Sequence, residues 1–254
     1  MSDEVLFTTE NGIAFITINR PKARNAVNRA VAEQIAAAID TLESDDSLRV
    51  GILTGAGGTF CAGMDLKAFV QGEVPMVEGR GFAGLTEDPP RKPLIAAVEG
   101  YALAGGCELA LACDLIVASE GAKFGLPEVK RGLCAAAGGL LRLPRQLPYR
   151  VALELALTGD MFPAERAMHF GLINRLVADG QAMDTATELA RTIVANAPLA
   201  VAASKAVVRG SQDWSTTEMF ERQRELTDPI RSSEDAREGA TAFAEKRAPV
   251  WRGK

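Results

Sequence analysis

Short apolar runs alternate along the chain with apolar residues spaced three and four apart, and small or turn-forming residues separate them. Short runs bounded by Gly, Pro, Asn or Asp predict strands; the three-and-four spacing predicts amphipathic helices. Residues 5–7 and 13–18 therefore predict a hairpin closed by Asn11-Gly12. Asn28 predicts the cap of a helix whose apolar face is Val31, Ile35, Ile39 and Leu42, closing at residues 44–47. Strands are predicted at 50–54, 94–98, 114–118 and 174–177, and helices at 151–157 and 163–170. From residue 184 the pattern is helical throughout, at 184–195, 199–209, 215–226 and 233–246. Pro198, Gly210 and Pro229 punctuate that stretch, and Ser232-x-x-Asp235 fits a capping box.

Two of the strands run into glycine-rich turns and then helices, at 50–67 and 94–112, which predicts an α/β fold with repeated ββα layering. A third small-residue turn occupies 132–139. The change in pattern divides the chain into a core, 1–183, and a helical extension, 184–254. Residues 71–92 are loop-rich, with Met76, Phe82 and Leu85 scattered among glycines and prolines. A segment of that length either shapes an apolar pocket or lid, or is a mobile surface loop.

Composition narrows the function classes. The 254 residues are 47% hydrophobic, enough for a sizeable core. No run approaches the roughly 18 apolar residues of a membrane span. The opening MSDEVLF lacks the basic region of a secretory signal, so a cytoplasmic protein is expected, with no membrane partner. Cys61, Cys107, Cys113 and Cys134 lack metal-ligand spacing and read as reduced thiols, with no metal expected. A net charge of −5 weighs against a nucleic-acid partner. His169 is the only histidine, sits in a helical stretch, and has no G-x-S-x-G nucleophile to serve, so it reads as structural.

The candidate chemistry gathers around residues 95–114, IAAVEGYALAGGCELALACD. They predict a buried strand, a tight turn, and a helix starting at Gly105-Gly106. The first N–H groups of a helix lack intrahelical acceptors and can hold a developing negative charge. Glu108 falls in that first turn, where it either complements the helix dipole or does acid–base work beside an oxyanion hole. Ala62 to Asp65 form a second small-residue turn after a strand and can supply another N–H. The dinucleotide-like start at Gly55 fails, because Phe60 stands where the third glycine belongs. Glu128 follows Glu108 by 20 residues with one strand between, a spacing that permits both carboxylates to face one cleft. Lys22, Arg24 and Asn25 form a basic polar loop, either a solvated turn or a clasp for a phosphate-bearing ligand.

Five motifs together resemble the crotonase superfamily of enoyl-CoA hydratases and isomerases along essentially the whole chain. They are NRPKARNAV (19–27), TFCAGMDLK (59–67), residues 95–114, FGLPEVKRG (124–132) and SEDAREGATAFAEKR (233–247). The resemblance implies a crotonase-like spiral of ββα units, with C-terminal helices that assemble trimers or hexamers. It implies a lyase acting on acyl-CoA thioesters, with coenzyme A carried by the substrate and no bound cofactor. Met64 and Gly105 match the two oxyanion-hole residues, and Glu108 and Glu128 match the two acids. Lys22, Arg24, Ala26, Ala62, Asp65, Leu66, Lys67 and Gly132 match acyl-CoA contacts. The presence of both acids implies an enoyl-CoA hydratase rather than a pure isomerase. Glu128 would act at the α-carbon and Glu108 on the water. LLRLPRQLP and the tail from residue 238 resemble carnitinyl-CoA dehydratase and related bacterial members, so a specialised hydratase is the alternative. A non-catalytic acyl-CoA-binding protein is the third reading. The chain departs from many hydratases at Ala135-Ala136, where they carry proline and glycine.

Overall fold

The computed structural model describes residues 3–254. The hairpin forms as β1 (Val5–Glu10) and β2 (Ile13–Ile18), paired antiparallel. Asn11 and Gly12 both take positive φ, 49° and 80°, as a type I′ turn requires. In α1 (Arg29–Ser44) the Asn28 side chain accepts the Val31 N–H, and Val31, Ile35, Ile39 and Leu42 are buried. Then follow β3 (Val50–Gly55), α2 (Leu66–Val70), β4 (Met76–Val77), β5 (Gly81–Phe82), β6 (Leu94–Val98) and β7 (Tyr101–Leu103). The loop-rich stretch thus contains one small hairpin, β4–β5. Next come α3 (Gly105–Ala112), β8 (Leu115–Ser119), β9 (Lys123–Gly125) and a 3-10 turn, Pro127–Arg131. The chain continues through α4 (Gly139–Gln146), α5 (Tyr149–Thr158), β10 (Phe162–Pro163), α6 (Ala164–His169) and β11 (Arg175–Val177). It finishes with α7 (Ala182–Val194), α8 (Pro198–Ser211), α9 (Met219–Arg231) and α10 (Glu234–Glu245).

Six strands make the main sheet, in the order β1-β2-β3-β6-β8-β11, parallel from β2 onward. The central strands β3 and β6 are buried along almost their whole length, which explains why they read as continuous apolar runs rather than alternating ones. Successive residues still face opposite ways. Leu53, Leu94, Ala96 and Val98 join the core beneath α1 and α3, while Ile52, Ile95 and Ala97 pack against α7. A second sheet, β10-β9-β7, stands beside the first and carries the chain into and out of the glycine turns.

Ala182, Ala186 and Ala190 form the stripe by which α7 lies on the sheet. The line drawn between 183 and 184 falls inside that helix. The helices after it are different: α8 and α9 bury no residue fully. Two local expectations are corrected. Pro229 does not end a helix but lies within the last turn of α9, two residues before its end. The cap of α10 is Ser233, not Ser232: its hydroxyl accepts the Ala236 N–H at 3.0 Å. Asp235 is buried instead and accepts the N–H groups of Arg252 (2.7 Å) and Gly253 (2.9 Å). Helix α4, with Pro144 inside it, had no counterpart in the sequence pattern. Among the described residues no helix is long and apolar enough to cross a membrane.

Candidate active site

The two glycine turns meet. The Cys61 N–H donates to the Tyr101 carbonyl (2.8 Å) and the Leu103 N–H to the Cys61 carbonyl (3.0 Å), so residues 60–62 run beside β7. Close packing then forbids side chains. A Cβ on Gly106 would sit 2.1 Å from the Cys61 carbonyl oxygen. A Cβ on Gly63 would sit 2.8 Å from that of Ala104 and 3.2 Å from the Gly105 nitrogen. Ala104 itself takes φ 52°, ψ −130°, a conformation that costs on the order of 1–3 kcal/mol for a residue with a Cβ. Its N–H bond to the Gly125 carbonyl (2.9 Å) helps to hold it there. Such strain collects where backbone direction matters. Here it sets the direction of the Gly105 N–H at the start of α3. The N–H groups of Met64 and Gly105 have no hydrogen-bond partner among the described residues, and they sit on adjoining turns.

Both acids stand by these turns. Glu108 is buried, and its Oε1 accepts the Ala137 and Gly139 N–H groups, each at 2.8 Å. The turn at 132–139 thus wraps the carboxylate. Burial raises the pKa of Glu108, against the pull of those two amides and of the Arg142 cation. Glu128 lies in the 3-10 turn, and its Oε2 is buried with no hydrogen-bond partner among the described residues. Burial, with the Glu108 charge adding to it, pushes Glu128 up to about 7. Cys107 is pushed up to about 12, chiefly by burial, and feels both carboxylates. Arg142, from α4, lies against Gly138 and donates to the Thr86 carbonyl (2.5 Å), which ties the loop after β5 to the turn around Glu108.

Glu128 also lines a cavity of about 380 Å³. A larger concavity, about 1230 Å³, lies between α4 and α8; it reaches Ala137 and Gly138 but neither acid.

The basic loop joins the same neighbourhood. The Ala62 N–H donates to the Arg24 carbonyl (3.0 Å) and the Val27 N–H to the Gly63 carbonyl (2.8 Å), so Arg24, Ala26 and Ala62 are held together. The Arg24 guanidinium lies 6.0 Å from the centre of the Tyr101 ring. Lys22 is exposed. Asn25 is fully buried, not a solvated loop residue: it accepts the Arg20 N–H and donates to the carbonyls of Ala56 and Thr59. Asp65 caps α2 by accepting the Lys67 and Ala68 N–H groups, and pairs with Arg20 at 3.0 Å. Its carboxylate is thereby engaged within the protein, while Leu66 and Lys67 are exposed on α2. Gly132 closes the 3-10 turn with φ 70° and is open to solvent. His169 ends α6 with its ring against Phe170, centroids 4.8 Å apart.

Sequence reasoning did not reach Ala104, Ala137, Gly139 or Arg142. The paired glycines at 138–139 were a signal that a backbone N–H was needed close to something. Nothing in an alanine announces the strained turn at 104.

Known proteins resemble this one throughout. The family described as enoyl-CoA hydratase/isomerase matches residues 8–254. A carnitinyl-CoA dehydratase of Proteus mirabilis is 44% identical over 262 residues, covering 100% of both chains. A crystal structure of enoyl-CoA hydratase from Mycobacterium tuberculosis H37Rv superposes with a TM-score of 0.98 at 59% identity, covering 100% of both chains. One of carnitinyl-CoA hydratase from Mycobacterium avium gives 0.81 at 48% identity, again with full coverage.

Proposed function

Since the chain belongs to the enoyl-CoA hydratase/isomerase family, we propose that it adds water reversibly to a trans-2-enoyl-CoA, forming a (3S)-3-hydroxyacyl-CoA. One observation carries this reading: two carboxyl groups with different proton affinities, Glu108 and Glu128, lie beside two main-chain N–H groups that have no partner among the described residues.

Water addition at the β-carbon drives negative charge onto the thioester oxygen. The Met64 and Gly105 N–H groups are rigidly aimed donors for that charge, and one such donor is typically worth about 10²–10³ in rate. Glu108, ionised and held by Ala137 and Gly139, accepts a proton from the attacking water. Glu128, protonated near neutrality, delivers its proton to the α-carbon. The reverse reaction returns both protons. The Lys22–Arg24 loop and the Ala62–Lys67 segment are the surface for the coenzyme A moiety, with the cationic side chains available to its phosphates.

Replacing Glu108 or Glu128 by Gln tests the assignment. Each substitution should cut crotonyl-CoA hydration by roughly 10²–10⁴-fold, followed as loss of the enoyl-thioester absorbance. Calorimetric affinity for a saturated acyl-CoA should survive. Near-normal turnover in both variants removes the proposal.

A second reading has support of its own: the 44% identical relative is a carnitinyl-CoA dehydratase. It shares the acid pair's chemistry and differs in the acyl group. A panel of enoyl-CoA substrates distinguishes the two. Tight acyl-CoA binding without turnover on any panel member would instead favour a binding protein.

A further inference from the structure

We infer that Phe82 is a positioning residue: its ring fixes Gly105 so that the N–H there stays aimed at the thioester oxygen, a role that rests on the hydratase reading.

Phe82 lies in the loop-rich stretch 71–92, where it pairs with Met76 in the β4–β5 hairpin, and its side chain is buried. The ring reaches Gly105. A Cβ added to Gly105 would sit 2.5 Å from the Phe82 Cζ and 2.6 Å from its Cε1. The ring tip therefore fills the space that a side chain on residue 105 would need, in van der Waals contact with the glycine. Gly105 also meets the neighbouring turn, since a Cβ on Gly63 would sit 3.2 Å from its nitrogen. Packing thus constrains the residue from both segments. A hydrocarbon ring carries no acceptor oxygen, so it holds Gly105 by contact and leaves the N–H for a ligand.

The loop around Phe82 is built to keep the ring where it is. Gly81, Ala83 and Gly84 take positive φ, 74°, 54° and 64°. For Ala83 that conformation is strained, and it persists only where the surroundings over-determine it. The Ala83 N–H donates to the Pro75 carbonyl (3.0 Å) and the Glu87 N–H to the Arg80 carbonyl (2.9 Å), which closes the loop on itself. A Cβ on Gly84 would sit 2.7 Å from the Ala32 carbonyl oxygen, so the loop lies directly on α1. The Arg80 guanidinium donates to the Ala36 carbonyl (3.3 Å) and pairs with Asp40, both on α1. At the far end the Thr86 carbonyl accepts from Arg142, which stands against the turn around Glu108. One rigid segment is therefore anchored on a core helix and touches the residue whose amide the reaction uses.

Phe82→Leu removes the ring atoms that touch Gly105 but keeps an apolar side chain; Phe82→Ala removes more. With crotonyl-CoA, kcat should fall about ten-fold in the first and about 10²-fold in the second, as an oxyanion donor drifts out of line. Calorimetric affinity for butyryl-CoA should change little. The deciding readout is the infrared stretch of the thioester carbonyl in bound, isotope-labelled butyryl-CoA. Two aimed amides lower that frequency in the parent; in Phe82→Leu it should move back toward its value in water, and further in Phe82→Ala. A merely structural role would reduce the fraction of protein that binds, read as calorimetric stoichiometry, and leave the band of the bound ester in place. An unmoved band in folded Phe82→Leu overturns the inference whatever kcat does, and that variant decides the matter if Phe82→Ala does not fold. A band lowered in the parent and restored in the variants, without turnover of any enoyl-CoA, sinks the hydratase reading and leaves the positioning role standing. Crotonyl-CoA turnover with a band that the variants do not move sinks the positioning role alone.

Discussion

Glu108 and Glu128 are the same residue type in different surroundings, and the proposed reaction gives them opposite duties. Two amides and a guanidinium favour the charge on Glu108; Glu128 has a buried oxygen with no donor. The proposed reaction moves protons between water, substrate and this pair, so its working state carries one proton on the two carboxyls. Hydration and dehydration start from different arrangements of that single proton. Both directions should therefore show the same bell-shaped dependence of kcat/KM on pH. The upper limb should fall as pH rises through about 7, where Glu128 loses its proton. The lower limb should lie above the ordinary carboxylate range, because Glu108 is also raised. Rates measured in both directions from pH 5 to 9 check this; limbs that differ between directions refute it. A second residue-scale prediction concerns Gly139. A Cβ there would meet the Glu108 Cγ at 2.9 Å and its Oε1 at 3.0 Å. Gly139→Ala should push the carboxylate out of line and cost on the order of 10²-fold in kcat, with affinity for a saturated acyl-CoA little changed.

At the scale of elements, the stretches read correctly from sequence are those whose local signals agree. Asn28 caps α1 as its position before the apolar stripe required, and Asn11-Gly12 makes one of the two kinds of turn that a two-residue hairpin favours. The misread stretches have polar side chains that bond far along the chain. Asn25 looks like loop solvent-facing polarity but joins residues 20, 56 and 59. Asp235 looks like the second half of a capping box but anchors the chain's last residues. Asp235→Ala should leave α10 capped by Ser233 and release the tail. Limited proteolysis should then cut after residue 246 faster than in the parent, at unchanged cleavage elsewhere. Similar rates at that site would show that the tail is held by other contacts.

At the scale of the molecule, the sheet and α7 form a closed core, whereas the last three helices do not close one. Phe220 is 61% exposed and Phe243 is 88% exposed. Helices that bury so little of their own surface gain most of their stability from packing against something else. We propose that this something is further copies of the chain, as trimers or pairs of trimers. Sedimentation velocity should find such an assembly for the parent. Phe220→Asp combined with Phe243→Asp should shift it toward monomer and lower the melting temperature. A parent that sediments as a monomer refutes the proposal.

Periodicity, turn chemistry and the placement of small residues were enough to determine most strands and helices, the α/β class, and the two glycine turns with Glu108 beside one of them. Those signals are local: each depends on residues within one turn or one strand of one another. Only the tertiary structure decided that the turns at 63 and 104 press together, that the amides of residues 137 and 139 grip Glu108, and that Glu128 keeps a buried oxygen unpaired. It alone opened the cavity between α4 and α5. These features depend on distances between segments far apart along the chain. Such distances are set by the packing of whole layers rather than by any residue's preference.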